Sequence, residues 1–295
     1  MEIQTILNGI KVFRDDLYPF LGGGNKGRKI KFIEQDILKK NSNAVVTTGG
    51  IHSNHCRAVA VMAAQNGWAC TLVLHGDRQK WEQATGNALI MRLSGAKIVF
   101  CGASEIGQSM DDAMQQYASE QLAPYYIWGG GHTLAGGLAY IEAIGTLQSY
   151  SQTHSWSPDY IFHASGTGST QAGILAGLDK YNLSSRVIGI SVARRREPAE
   201  KMVVEFYDSL CAQYNIKSTH RQVTVLDDYL CGGYEQFDQH LLQLSRESIK
   251  NFGFALDTTY SGKAFYGMQQ FIQQNNIKGN ILFWHTGGIF NFLAQ

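Results

Sequence analysis

Short apolar runs alternate with longer segments of helical period along nearly the whole chain. AVVTTGG from Ala44 is an apolar run opening into glycines, the pattern of a buried strand and its turn. SNHCRAVAVMAAQNGW from Ser53 predicts a helix with Ser or Asn at its cap. CTLVLHG from Cys70 predicts a strand, QATGNALIMRLSG from Gln83 a helix, and KIVFCG from Lys97 a strand. A helix is expected over 104–121, a strand at YYIW from Tyr125, and a helix through Ile141 to Leu147 after the bend GGGHTLAGG from Gly129. The second half repeats the theme. YIFHAS from Tyr160, RVIGISVA from Arg186, QVTVLDDY from Gln222 and NILFWHTGG from Asn280 predict strands. Helices are expected from Thr170, over 197–214, from about Tyr234 to Phe252, and at GKAFYGMQQFIQQ.

This alternation predicts an α/β fold whose parallel sheets are covered by helices on both faces. The chain is expected to divide near 138–151 with no proline-rich linker, so two closely packed lobes follow. The smaller lobe spans 40–138, and the larger takes 1–39 with 139–295. Ligands of open α/β sheets sit beyond the carboxyl ends of the strands. Three glycine turns fall there: GGIHSN at Gly49, GGGH at Gly129 and SGTGST at Ser165.

The composition narrows the choices. At 295 residues with 44% apolar side chains, global disorder is excluded. Lys plus Arg at 25 against Asp plus Glu at 24 leaves no basic stripe for nucleic acid. Only 17% of residues are charged, which favours extra buried surface such as a subunit interface. The 32 glycines point to tight turns and to loops where backbone approaches a ligand. The five cysteines show no CxxC spacing, so reduced thiols in a cytoplasmic protein are expected. No run is long enough to span a membrane, and no signal-peptide pattern opens the chain.

Four constellations carry candidate chemistry. In LGGGNKGRKIKF, over 21–32, Lys26 meets a helix expected to begin at about Gly27. A lysine there is either solvated or held in a glycine-lined pocket. In the pocket, desolvation and the cations Arg28 and Lys29 would lower its pKa and make it a Schiff-base former. SGTGSTQAG lies between a strand and a helix, where backbone N–H groups and the hydroxyls of Thr167, Ser169 and Thr170 suit an anion. It is neither a Walker A loop nor GxGxxG, so a phosphate monoester fits it best, with a plain packing turn as the alternative. Ser53 and Asn54 open a helix and either grip a carboxylate or simply cap. Tyr234 and Tyr260 each follow a loop, where a buried tyrosine often does no more than find a hydrogen-bond partner. His52, His55, His132, His163 and His285 show no metal-ligand spacing, so no metal is expected. Asp15 and Asp16 are expected to cap, and Trp128 and Trp284 to lie in the core.

An imine-forming lysine, a phosphate cradle and a carboxylate grip together describe pyridoxal 5′-phosphate (PLP) bound to an amino acid. GGNKGRK, GGIHSNHCR, GTGSTQAG, YSGKAFYG and HTGG occur in that order. The ordered set resembles the 1-aminocyclopropane-1-carboxylate deaminase and D-cysteine desulfhydrase family, within the tryptophan synthase β-like fold (PLP fold type II). The resemblance runs from the strand near Ile10 to the C-terminus. It implies that the larger lobe binds PLP and that Lys26 is the Schiff-base residue. It puts Lys29 near the cofactor phosphate and Gly166, Thr167, Gly168, Ser169 and Thr170 around it. Ser53 and Asn54 hold the substrate carboxylate and the cofactor face, and Tyr234 and Tyr260 are active-site tyrosines. Two positions discriminate within the family. Deaminases carry glutamate after the second tyrosine and leucine in the final H-x-G-G turn, where this chain has Ser261 and Thr286. Hydroxyls leave the ring nitrogen nearer neutral than a carboxylate does, giving an electron sink sufficient for β-elimination.

The resemblance therefore implies a PLP-dependent lyase releasing pyruvate, ammonia and sulfide from D-cysteine or a related β-substituted D-amino acid. Ring-opening deamination of 1-aminocyclopropane-1-carboxylate to 2-oxobutyrate is the runner-up, and β- or γ-replacement a further option. A non-catalytic PLP carrier or amino-acid sensor, or a phosphate-binding module without PLP, are the readings from other classes. Departures from the family lie at the short N-terminus and at His55, Trp128 and His132, which bear on substrate choice. A homodimer is expected from low charge and family habit.

Overall fold

Each run that reads as a strand is a strand in the computed structural model, which describes residues 2–6, 9–219 and 222–294. Strands β1 (Ile3–Thr5) and β2 (Lys11–Arg14) precede helix α1 (Gly24–Lys39). Next come β3 (Ala44–Gly50), α2 (Asn54–Asn66), β4 (Ala69–His75), α3 (Arg78–Gln83), α4 (Asn87–Leu93) and β5 (Lys97–Phe100). They lead to α5 (Ile106–Ser119), β6 (Pro124–Ile127), α6 (Leu134–His154), β7 (Tyr160–Ser165) and α7 (Ser169–Lys180). The chain continues through β8 (Arg186–Ser191), α8 (Arg196–Gln213), β9 (Thr224–Leu226) and α9 (Gln239–Phe252). It ends with α10 (Ser261–Gln274), β10 (Ile281–His285) and α11 (Ile289–Phe292).

The strands form two sheets, in the orders β5-β4-β3-β6 and β1-β2-β10-β7-β8-β9. All pairings are parallel except β1 with β2. Both faces of each sheet are buried, as parallel pairing requires. Alternate residues of one strand therefore enter different cores. Ile161, Val187 and Leu282 face α6, α7 and α8, while Phe162, Ile188 and Phe283 face α10. In the smaller sheet Val45, Leu72 and Leu74 meet α1, α2 and α4, and Val46 and Val73 meet α5. Ile30, Ile33 and Ile37 of α1 lie in this second core.

Several boundaries differ from expectation, each for a local reason. The helix expected from Gln83 is broken between α3 and α4. Gly86 has φ +59°, and a Cβ there would lie 2.4 Å from the Phe290 carbonyl, so the break admits the C-terminal segment. Helix α9 starts at Gln239 rather than Tyr234, because Asp238 caps it by accepting the Leu241 N–H at 2.8 Å. Helix α1 starts at Gly24, which puts Lys26 in its first turn. Trp284 is fully buried, whereas Trp128 is 60% exposed, so only the first belongs to the core. Asp15 does not act as a simple cap. It is buried and pairs with Arg28 at 2.6 Å while accepting from Trp284 Nε1 and the Tyr140 hydroxyl. It thereby ties α1, α6 and β10 together.

Candidate active site

The carboxyl ends of β3, β6, β7 and β10 deliver four glycine turns to one place. The turn after β7 leaves the larger sheet where its strand order reverses, with β10 on one side and β8 on the other. An outer cleft of about 430 Å³ is lined by Lys26, Ser53, His55, Gly166, Thr167, Tyr234 and Tyr260, among others. A narrow inner cavity shares Lys26, Gly166, Thr167 and Tyr260 with it and adds Asn54, Gly168, Thr170 and Thr286. Of the site residues expected from the sequence, only Lys29, Ser169 and Ser261 lie behind these walls.

Lys26 is held at the centre. Its Nζ donates to the Gly130 carbonyl at 3.0 Å. Burial lowers its pKa to about 8, with the nearby Cys56 acting the other way. The Cys56 thiol is pushed up to about 12 by burial and stays protonated. Gly130 can offer its carbonyl because it adopts φ +73°, and a Cβ there would lie 2.8 Å from Thr167 Cγ2. The bend after β6 thus packs directly on the loop after β7.

That loop forms the anion cradle. Gly168, at φ +79°, is the N-cap of α7, and the N–H groups of Ser169, Thr170 and Gln171 precede the helix's first internal bond. Lys29 Nζ donates to Ser169 Oγ at 2.7 Å from behind. Burial and the charge of Lys26 hold Lys29 well below the ordinary lysine range. Asn25 Nδ2 approaches Thr170 Oγ1 at 3.3 Å, and the Asn25 amide donates to the Thr286 carbonyl at 2.9 Å. The cradle offers amides, hydroxyls and an amine and no carboxylate, the donor set that a phosphate monoester needs. Glycines border the paired cavities from Gly129 to Gly168, and Gly287 and Gly288 close the inner end, leaving room for a flat ring. The residues present fit PLP.

On the other wall Ser53 is the N-cap of α2, accepting the Cys56 N–H at 3.1 Å. Asn54 is oriented from below, where Asn87 Nδ2 donates to its Oδ1 at 3.0 Å. This leaves the Asn54 amide nitrogen to face the cavity. His55 lies 2.9 Å from Thr47 Oγ1, whose own proton goes to the Ile127 carbonyl at 2.8 Å. His55 Nε2–H is therefore the donor, and Nδ1 an acceptor. Burial, then Lys26, Lys29 and Arg57, keep this imidazole neutral. The Tyr234 and Tyr260 hydroxyls are 2.5 Å apart. Ser261 Oγ is turned away from the cavity toward Asp257 Oδ1, at 2.6 Å. His132 bonds the Thr167 carbonyl at 2.9 Å and stacks on Phe206, so it braces the loop without lining the cleft.

Reading the sequence missed Asp257, Asn87 and Arg194. Asp257 had a signal, since DTTYS is the pattern of a carboxylate capping the amides that follow it. Asn87 and Arg194 had none. Among the described residues no cluster of His, Cys, Asp and Glu side chains is arranged to hold a metal, and no helix is long and apolar enough to cross a membrane.

Comparison with known proteins agrees with this chemistry. The family described as pyridoxal-phosphate dependent enzyme matches residues 8–287. A D-cysteine desulfhydrase of Yersinia enterocolitica is 30% identical over 285 residues, covering 95% of this chain and 86% of its own. A putative 1-aminocyclopropane-1-carboxylate deaminase of Pyrococcus horikoshii is 31% identical, covering 95% of this chain and 84% of its own. The crystal structure of an ACC deaminase homologue superposes with a TM-score of 0.90 at 30% identity, covering 98% of this chain and 90% of that one. The crystal structure of a bacterial threonine deaminase shares the fold, with a TM-score of 0.64 at 13% identity over 95% of this chain and 87% of that one.

Proposed function

The chain belongs to the pyridoxal-phosphate-dependent enzyme family, and from that premise we propose that it is a lyase catalysing β-elimination from D-cysteine or a closely related β-substituted amino acid. Water is consumed, and pyruvate, ammonia and sulfide are released. The observation that carries the reading is the position of Lys26 Nζ, between the phosphate cradle and the tyrosine pair, with its pKa lowered to about 8. Bound PLP supplies an aldehyde for an amine to condense with and a ring that accepts the electron pair left at Cα.

The chain's own groups do the rest. Gly166 to Thr170, with Lys29 behind them, hold the phosphate. Ser53 and Asn54 hold the substrate carboxylate, and His55 offers Nδ1 beside them. Lys26 takes the Cα proton, and the Tyr234–Tyr260 pair gives a proton to the departing atom. Ser261 and Thr286 leave the ring edge without a facing carboxylate, which favours elimination over ring opening. We read residues 40–138 as the smaller lobe and 1–39 with 139–295 as the larger, bridged by α1. A cytoplasmic homodimer completes the proposal. It is supported by five free cysteines and by exposed Leu21, Leu89, Leu93 and Leu293 around α4 and α11.

The test is keto-acid release by the PLP-loaded protein. Pyruvate and sulfide from D-cysteine, absent in Lys26→Ala, are expected. Because some relatives are named as putative 1-aminocyclopropane-1-carboxylate deaminases, 2-oxobutyrate from that compound is the competing outcome. Absence of keto acid from every β-substituted alanine of either hand would reject the lyase assignment to small amino acids.

A further inference from the structure

Three arginines follow β8, and they have different fates. Arg196 pairs with Glu200 at 3.0 Å, and Arg195 lies 3.9 Å from Asp227. Both are exposed helix-end charges of the ordinary kind. Arg194 instead lines the outer cleft, where one guanidinium nitrogen donates to the Gly166 carbonyl. No carboxylate pairs with it among the described residues. A guanidinium has five N–H donors in a planar fork, so most of its capacity for an anion is unspent.

The cleft around it is built for negative charge. Its charged lining residues are Lys26 and Arg194, and no aspartate or glutamate lines it. Thr48, also in the lining, has a buried hydroxyl with no partner. The anions already accounted for lie elsewhere. The cofactor phosphate falls to Gly166–Thr170 at the inner end, and the substrate carboxylate to Ser53 and Asn54 on the four-stranded sheet's side. Arg194 comes from the six-stranded sheet's side and is left over.

We propose that Arg194 binds an anionic group on the substrate's side chain, so that the favoured substrates are amino acids whose β-substituent carries a carboxylate, phosphate or sulfonate. The proposal rests on the β-elimination reading above, and the thiolate departing from cysteine is the smallest such anion. For a phosphate ester of serine, the Cα proton passes to Lys26 and the Cβ–O bond breaks. Its electron pair leaves on the phosphate oxygen, and one water completes release of pyruvate, ammonia and inorganic phosphate.

Aspartate and asparagine make the test, because they differ by one side-chain charge at the same shape. Their inhibition constants against cysteine turnover, in both enantiomers, are measured on the PLP-loaded protein and on Arg194→Met and Arg194→Lys. Aspartate is expected to bind about 10- to 100-fold more tightly than asparagine. The ratio should fall toward one in Arg194→Met and recover in large part in Arg194→Lys. The rate with O-phosphoserine relative to cysteine should fall in step. An aspartate preference that is absent, or that survives in Arg194→Met, overturns the proposal. A fall in PLP affinity with the ratio unchanged also overturns it and gives Arg194 to the cofactor. If cysteine yields no keto acid, the elimination reading fails by itself. Binding of the two amino acids, followed by the visible absorbance of the bound cofactor, still decides the role of Arg194.

Discussion

Ser261 gives its only hydroxyl proton to Asp257, at 2.6 Å, and accepts the Asp257 amide N–H at 3.0 Å in return. The same carboxylate takes the N–H groups of Thr259, Tyr260 and Ser261 at 3.1, 3.0 and 2.9 Å. Asp257 is fully buried, and a Cβ on Gly288 would lie 2.4 Å from its Oδ1. One side chain thus fixes the start of α10, the placement of Tyr260 and the turn that closes the inner cavity. Asp257→Ala would leave three amides and a hydroxyl without an acceptor. The expected loss is about 3 to 5 kcal/mol in urea unfolding. Ser261→Ala removes one donor and should cost about 1 kcal/mol. Equal losses for the two would show that the carboxylate does not organise the loop.

The amine of Lys26 predicts a pH effect with a definite sign. Its folded pKa of about 8 lies below the free value of 10.5. A lowered pKa contributes stability that is complete above 10.5 and is lost as the pH falls through 8. Relative to Lys26→Met, the cofactor-free wild type should therefore lose roughly 2 to 3 kcal/mol between about pH 10.5 and pH 7. The same shift leaves about a tenth of the amine neutral at about pH 7, against less than about a thousandth for an ordinary lysine. PLP incorporation should accelerate with pH and level off above about 8. A rate still climbing about tenfold per unit near pH 9.5 would contradict the lowered value.

The sheet pattern was legible because its physics is local. A parallel strand buried on both faces must be apolar throughout, and YIFHAS, RVIGIS and ILFWH are. The turn glycines were legible because φ values such as +73° at Gly130 and +79° at Gly168 suit little else. What stayed hidden depends on distant contacts. The break at Gly86 answers to Phe290, and Asp15 is spent on Arg28, Tyr140 and Trp284. Asn87 sits in NALIMRL, an ordinary helical run, yet meets Asn54 and Asn291, 33 and 204 positions away. Arg194 is one of three adjacent arginines, and only the fold turns it into the cleft.

Asn87 follows as a positioning residue. It holds Asn54 by its amide and takes Arg57 Nε on its carbonyl at 3.2 Å. Arg57 is buried without a carboxylate, and burial lowers its pKa to about 10. Asn87→Ala would free Asn54 and remove one acceptor of a buried charge. A loss of about 2 kcal/mol in stability is expected, with a several-fold rise in KM and a smaller change in kcat. A fall confined to kcat would place the effect elsewhere.

Gly130 tests the contact between two loops. In Gly130→Ala the new methyl meets Thr167 Cγ2 at 2.8 Å, in a left-handed conformation that already disfavours a side chain. About 1 to 2 kcal/mol of strain is expected, felt as weaker PLP binding because both loops border the cofactor site. Adding Thr167→Gly removes the clash but keeps the φ penalty, so the double variant should regain part of the loss. Independent, additive effects would mean the loops do not press on one another.

The tyrosine pair gives the most discriminating prediction about the reaction. Burial raises both phenols, Tyr260 further through Tyr234, so neither ionises below the ordinary value of 10. No limb assigned to tyrosine should appear in the kcat profile up to that pH. One hydroxyl must donate to the other at 2.5 Å, leaving one proton free for the cleft. A proton donor matters most when the departing atom is basic. Thiolate leaves readily by itself, whereas hydroxide does not. Tyr260→Phe should therefore slow serine elimination by about 10²- to 10³-fold and cysteine elimination by much less. The comparison is made on kcat, with PLP content checked by absorbance. Equal losses on both substrates would assign the pair to holding the cofactor or substrate, with the leaving group protonated by some other donor.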